Sequence, residues 1–172
     1  MNKFKLFWQM ESTDCGPACL QMVCAFYGKS VSQQYIKDGM SISRIGVTIR
    51  DIKDRASDIG FDTVVAKANL DQLTKIKSPV IVHWNNNHFI ILYKIKKHTN
   101  RTYSFYIADP SNGKIKFSQE EFERNWLSGK EFGLVMFLKP TNAFYKLNLS
   151  MFMSGNLFWY RVFCCEKLYR YS

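Results

Sequence analysis

Helix signals crowd the first half of this chain and strand signals the second, with the change at Pro79. The run Ala18, Cys19, Leu20, Met22, Val23, Cys24, Phe26, Tyr27 is apolar enough for a buried helix opening at Gly16. Pro17 then occupies a first helical position, where proline is best tolerated, and Gly28 closes the helix. Ser32 caps a short second helix to Asp38, and Gly39 to Gly46 is a loop. Thr48 opens a third helix, with Asp51 in capping-box spacing and Gly60 as its stop. Phe61 to Ala66 is a strand, and Asn69 caps a turn of helix through Leu70, Leu73 and Ile76.

Beyond Pro79 the pattern predicts a sheet. Val80 to Trp84 and His88 to Ile95 are strongly β-prone runs separated by Asn85, Asn86 and Asn87, which tolerate left-handed backbone and predict a hairpin. Tyr103 to Ala108 is the next strand; it ends in the turn Asp109, Pro110, Ser111, Asn112, Gly113, and Lys114 to Phe117 pairs back across that turn. Ser118 with Glu121 is a further capping box, starting a helix to Leu127, and Gly133 to Leu138 is a last strand before Pro140. Helices followed by antiparallel strands predict one α+β domain over residues 1–140. Residues 141–172 differ in composition, with many aromatic side chains and few charges. Their longest apolar runs, Leu157 to Tyr160 and Val162 to Cys165, are interrupted by Arg161 and fall well short of the roughly 20 residues of a membrane span. This tail is expected to dock on the domain, to extend irregularly from it, or to lie at a membrane interface.

The apolar fraction of 47% and charged fraction of 22% are those of a globular domain and exclude a disordered chain. Net charge is +10, which favours an anionic partner. The basic residues are scattered or fall in short groups such as Lys94, Lys96, Lys97, with neither a basic helix nor an aromatic RNA-stacking motif, so nucleic acid is not the expected partner. Three of five cysteines lie in the first helical stretch and two are adjacent near the end, unlike a secreted disulfide framework. A reducing compartment is expected. The first residues contain no apolar stretch with a small-residue cleavage site, so no signal peptide is expected.

Cys15 stands at the mouth of the first helix, where unpaired N–H groups and the positive end of the helix dipole favour the nucleophilic thiolate. Asp14 works against this, so a basic partner is required from elsewhere in the chain. Cys19 and Cys24, inside the helix among aliphatic neighbours, are structural. His88 opens a strand at the hairpin, where its ring can be presented at a sheet edge while Phe89 to Leu92 anchor the strand. Asp109 ends a neighbouring strand and can lie beside it. His83, within the apolar strand, is expected to be structural, and His98, in the turn KKHTNR, to be in water. Gln9 offers an amide N–H to the oxygen of an attacked carbonyl. Cys15 and Cys19 share a helix face, but no Cys or His pair accompanies them in zinc-ligand spacing, so no metal is expected; nor is any other cofactor.

The segments QMESTDCGPAC (Gln9 to Cys19), HWNNNHFIIL (His83 to Leu92) and IADPSNG (Ile107 to Gly113), in that order, closely resemble the papain-like peptidase domain at the N-terminus of bacteriocin-exporting ABC transporters. The resemblance covers roughly residues 4 to 146. It implies a cytoplasmic cysteine peptidase, at the cytoplasmic face of the bacterial inner membrane, that removes leader peptides after a double-glycine motif. It also implies coupling to a transporter's membrane and ATPase domains. Carried over, Cys15 is the nucleophile, His88 the general base and acid, Asp109 the orienter of His88, and Gln9 the oxyanion donor. No Gly-x4-Gly-Lys-Ser/Thr loop is present, so these residues cannot supply ATP binding. Two other outcomes fit the same scaffold: an adaptor that binds leaders without cutting, and an enzyme that passes the acyl group to another acceptor or deamidates.

Overall fold

The computed structural model describes residues 4–44, 46–76 and 79–147. Helix α1 (Cys15–Phe26) begins at Cys15 itself, which makes Pro17 its third residue and not its first. Either place suits proline, because the first four N–H groups of a helix have no acceptor within it. The helix stops at Gly28, whose φ of +88° lets its N–H reach the Ala25 carbonyl while the Lys29 N–H reaches that of Cys24. Helices α2 (Gln33–Asp38) and α3 (Ile49–Asp58) are capped by Ser32 and Thr48 as expected, the latter in a complete capping box with Asp51.

Strand β1 (Phe61–Ala68) runs two residues beyond its expected end, and α4 (Leu70–Leu73) is a single turn capped by Asn69. The remaining elements are β2 (Val80–Trp84), β3 (His88–Lys97), β4 (Tyr103–Asp109), β5 (Gly113–Ser118), α5 (Gln119–Leu127), β6 (Gly133–Pro140) and α6 (Asn142–Lys146). The six strands form one antiparallel sheet in the order β1-β6-β2-β3-β4-β5. The β2–β3 turn is left-handed at Asn85 and Asn86, with φ of 48° and 61°, backbone that asparagine adopts more readily than most residues. This is the expected α+β architecture of helices on an antiparallel sheet.

Alternation along the strands builds a core on each face of the sheet. On one face Phe89, Ile91, Ala108 and Met136 pack against Cys19, Leu20 and Val23 of α1 and Ile52 of α3. On the other, Val82, Ile90, Leu92, Phe105 and Ile107 pack against Phe122 and Trp126 of α5. The Phe105 and Phe122 rings stack at 4.2 Å. The central strands are therefore buried on both sides, which accounts for their nearly continuous apolar sequence.

The stretch beginning at Thr141 first packs on the domain. Phe144 of α6 is fully buried, with its ring 4.4 Å from that of Phe61. The runs Leu157 to Tyr160 and Val162 to Cys165 lie outside the described residues. Gly60 is the seat for α6: its φ is +99°, its carbonyl accepts from both the N–H and the hydroxyl of Thr141, and a Cβ there would stand 2.3 Å from the Phe144 nitrogen. Gly60→Ala combines a strained backbone with this collision and is expected to destabilise the protein by about 2 kcal/mol or more. A denaturant titration checks it; a loss under about 0.5 kcal/mol would show that α6 is not held this way.

Candidate active site

The alternation of β3 and the turn after β4 bring His88 and Asp109 together. His88 is the first residue of β3 and Asp109 the last of β4, on adjacent antiparallel strands. The ring Nε2 of His88 lies 2.8 Å from Asp109 Oδ1. Asp109 is only 3% exposed, yet both of its carboxylate oxygens have hydrogen-bond partners. Oδ1 also accepts from the Ser111 N–H at 2.8 Å and the Asn112 N–H at 3.3 Å, and Oδ2 accepts from Asn112 Nδ2 at 2.9 Å. Burial alone would raise the Asp109 pKa, but the bonds from His88, Asn112 and Ser111 outweigh it and hold the carboxyl below its ordinary range. Ser111 and Asn112 were legible only as turn formers; that their donors point at a carboxylate is a tertiary fact.

With Nε2 committed to Asp109, the other ring nitrogen of His88 is left for Cys15, whose proximity favours the charged ring. Burial of His88 opposes its charging, while the bonds to Asp109 and Cys15 favour it and prevail, so its pKa is raised to about 9. At neutral pH the ring is thus an imidazolium beside the sulfur. Cys15 is at the first position of α1 and 7% exposed, whereas Cys19 and Cys24 are at 0%. Cys19 donates its S–H to the Phe89 carbonyl at 3.3 Å, and burial pushes its thiol well up. Burial likewise pushes Cys24 up to about 12. Gly16 lets the third helix close over this turn: a Cβ there would stand 2.4 Å from Val47 Cγ2 and 2.9 Å from Ile52 Cδ1.

Asp14 does not act on the thiol as an isolated negative charge. Its side chain makes no cap bond to α1; Oδ2 accepts from Lys37 Nζ at 2.9 Å and from the Glu11 N–H at 3.2 Å. Lys37, on α2, therefore offsets the charge that the sequence placed next to Cys15. No sequence signal ties Lys37 to this role.

Gln9 borders the same crevice, an open volume of about 370 Å³ that His88, Asp109, Ser12 and Asn87 also line. The Gln9 N–H donates to the Pro110 carbonyl at 3.1 Å, and Ser111 donates its hydroxyl to Gln9 Oε1 at 2.8 Å. The first bond is made by the main chain and holds the segment; the second holds the side-chain amide by its oxygen and leaves its NH2 as the donor not engaged by Ser111. His83 is on the far side of the Asn85–Asn87 turn, half-buried against Phe89, and burial, Lys130 and His88 lower its pKa. His98 is not in open water: it is half-buried, and its Nε2 is 2.8 Å from the hydroxyl of buried Ser104. Among the described residues no three His, Cys, Asp or Glu side chains gather as metal ligands.

Residues 3–143 match the Peptidase C39 family. The chain belongs to that family. This C39 domain is a cysteine peptidase, as its half-buried histidine paired with a buried aspartate beside a helix-terminal cysteine also indicates. It is 34% identical over 116 residues to the colicin V secretion/processing ATP-binding protein CvaB of Escherichia coli, a match covering 67% of this chain and 16% of that protein. The C39 chain thus spans about a sixth of the length of that curated relative. Among solved structures it is similar to a double glycine motif protease from an AMS/PCAT transporter in complex with the leader peptide. That likeness has a TM-score of 0.70 and 33% identity, over 81% of this chain and 93% of the other. It is also similar to the peptidase domain of Streptococcus ComA, with a TM-score of 0.68 and 27% identity over 81% and 100%.

Proposed function

We propose that this C39 domain cuts precursor peptides behind a double-glycine motif, releasing the leader, as one step in peptide export by an ABC transporter. The observation that carries the reading is the line Cys15, His88, Asp109, with Gln9 fixed at the same crevice. The sulfur of Cys15 attacks the carbonyl carbon of the second glycine, and His88 protonates the departing amine. The Gln9 amide donates to the oxyanion of the tetrahedral intermediate. Water, deprotonated by His88, then hydrolyses the thioester and restores the free sulfur. Asp109 holds the ring in the orientation that serves both steps. Likeness to a double glycine motif protease supports small residues before the cut. Relatives that process and transport peptides support placement at the cytoplasmic face of a membrane, beside a transporter's membrane and ATPase parts.

Incubation with a double-glycine precursor, followed by mass spectrometry, is expected to give two fragments whose masses add to precursor plus one water. An intact complex would identify a leader-binding adaptor, and a small mass shift an acyl transfer or deamidation; either would overturn the proposal. In the same assay Gln9→Ala is expected to lower kcat by about 10²–10³ with a smaller change in KM. An unchanged kcat would remove Gln9 from the oxyanion site.

A further inference from the structure

Beside α1, strands β3, β4 and β5 present a basic face. A β-bulge shifts the register between Leu92 and Lys94, so Lys94 lies opposite Tyr106 and Lys96 opposite Ser104. Lys116 flanks Tyr106 on its other side, and Lys114 lies opposite Ala108. All four lysines are exposed and project from the sheet face that carries α1. None of them makes an ion pair among the described residues, and the only carboxylate on these three strands, Asp109, is turned to His88. The charges form a grid of about 6.8 Å along a strand and about 9.6 Å across two strand spacings.

A chain of rings borders the grid. Phe26, half exposed at the end of α1, is 6.1 Å from Phe4; Phe4 stacks on Tyr93 at 4.7 Å; and Tyr93 is 6.4 Å from Tyr106. The Lys94 ammonium lies over the Tyr106 ring, and that of Lys114 lies over the Tyr93 ring and donates to the Phe4 carbonyl, while Lys96 and Lys116 contact no ring. We infer that this face docks the domain on an anionic lipid bilayer, with Lys94, Lys96 and Lys116 against the headgroups and Phe26 entering the interface. Lysines spread over β3 and β5, on either side of β4, match a surface of negative charge, whereas an acidic peptide offers its charges along a line. Aromatic rings beside lysines are what a membrane–water boundary selects. Lys94 and Lys96 lie six and eight residues along β3 from His88, about 20 and 26 Å, so docking through them is centred at the end of the strand away from the crevice. The inference rests on charge and packing and not on the peptidase chemistry, so cleavage is not its readout.

Sedimentation of the full chain with vesicles tests it. Binding is expected to phosphatidylglycerol-containing vesicles and not to pure phosphatidylcholine, with release by about 0.5 M salt. The triple change Lys94→Glu, Lys96→Glu, Lys116→Glu is expected to weaken partitioning by about tenfold or more, while Lys53→Glu, Lys67→Glu, Lys139→Glu, the same change in charge elsewhere, costs no more than about threefold. Phe26→Ser, which leaves charge unaltered, is expected to weaken it severalfold. Circular dichroism establishes that each variant is folded. Equal losses from both triples, or wild-type binding by the first, overturn the inference. So does retention of a polyglutamate peptide or an oligonucleotide where vesicles are not retained.

Discussion

Replacing Cys15 with alanine is expected to abolish cleavage of a double-glycine precursor, lowering kcat by about 10⁵ or more, while leaving precursor affinity near its wild-type value. No other thiol in the described core can substitute. Cys19 is four residues further along the same helix, but its thiol is fully buried, donates its S–H in a hydrogen bond to the Phe89 carbonyl and is held in the neutral form by burial. Cys24 is equally enclosed. Cys19→Ala is accordingly expected to keep activity, apart from a modest loss of stability for the small cavity it leaves. Precursor turnover in both variants, with binding measured by calorimetry, is the check. Cleavage surviving in Cys15→Ala, or vanishing equally in Cys19→Ala, would remove Cys15 from the role of nucleophile.

Asp109→Asn is expected to lower kcat/KM by about 10²–10⁴ and to change how His88 titrates. The wild-type ring is raised from 6.5 to about 9 because its bonds to Asp109 and Cys15 overcome the opposing effect of burial. Without the carboxylate, burial counts for more, so the His88 pKa should fall. The raised value also links charge to stability. The favourable contribution of charged His88 is fully present below about pH 6.5 and is lost as pH rises through about 9. Wild-type stability should therefore decline across that interval from this group, and Asp109→Asn should flatten the decline. Histidine titration by NMR, together with denaturant unfolding at several pH values, measures both. An unaltered His88 titration in the variant would show that Asp109 does not govern the ring.

Most of the element sequence was legible in the chain because its punctuation is local. Ser32, Thr48, Asn69 and Ser118 each bond a backbone N–H three residues ahead, and three of them complete a capping box. Such contacts need nothing from the rest of the fold. The hairpin turn at Asn85 to Asn87 was equally local. The end of the chain was harder to read: the Phe144 helix shows no strong pattern of its own and is held by Gly60 and Phe61, more than 80 positions away. His98 was misjudged for the same reason, since Ser104 meets it only once β3 and β4 pair.

By itself the sequence determined the caps, turns and strand runs, and which cysteine and histidine stood apart from their apolar surroundings, because these depend on residues within a few positions of one another. The tertiary structure alone decided the order of strands, with β6 inserted between β1 and β2, and the pairing of Lys37 with Asp14. It also decided that the donors of Ser111 and Asn112 point at Asp109, and that a single bulge turns Lys94 and Lys96 onto the same face as Lys114 and Lys116. The physical reason is that each of these depends on sheet register or on packing between distant segments. Shifting a strand by one residue reverses every side chain after it, and no local pattern records that shift.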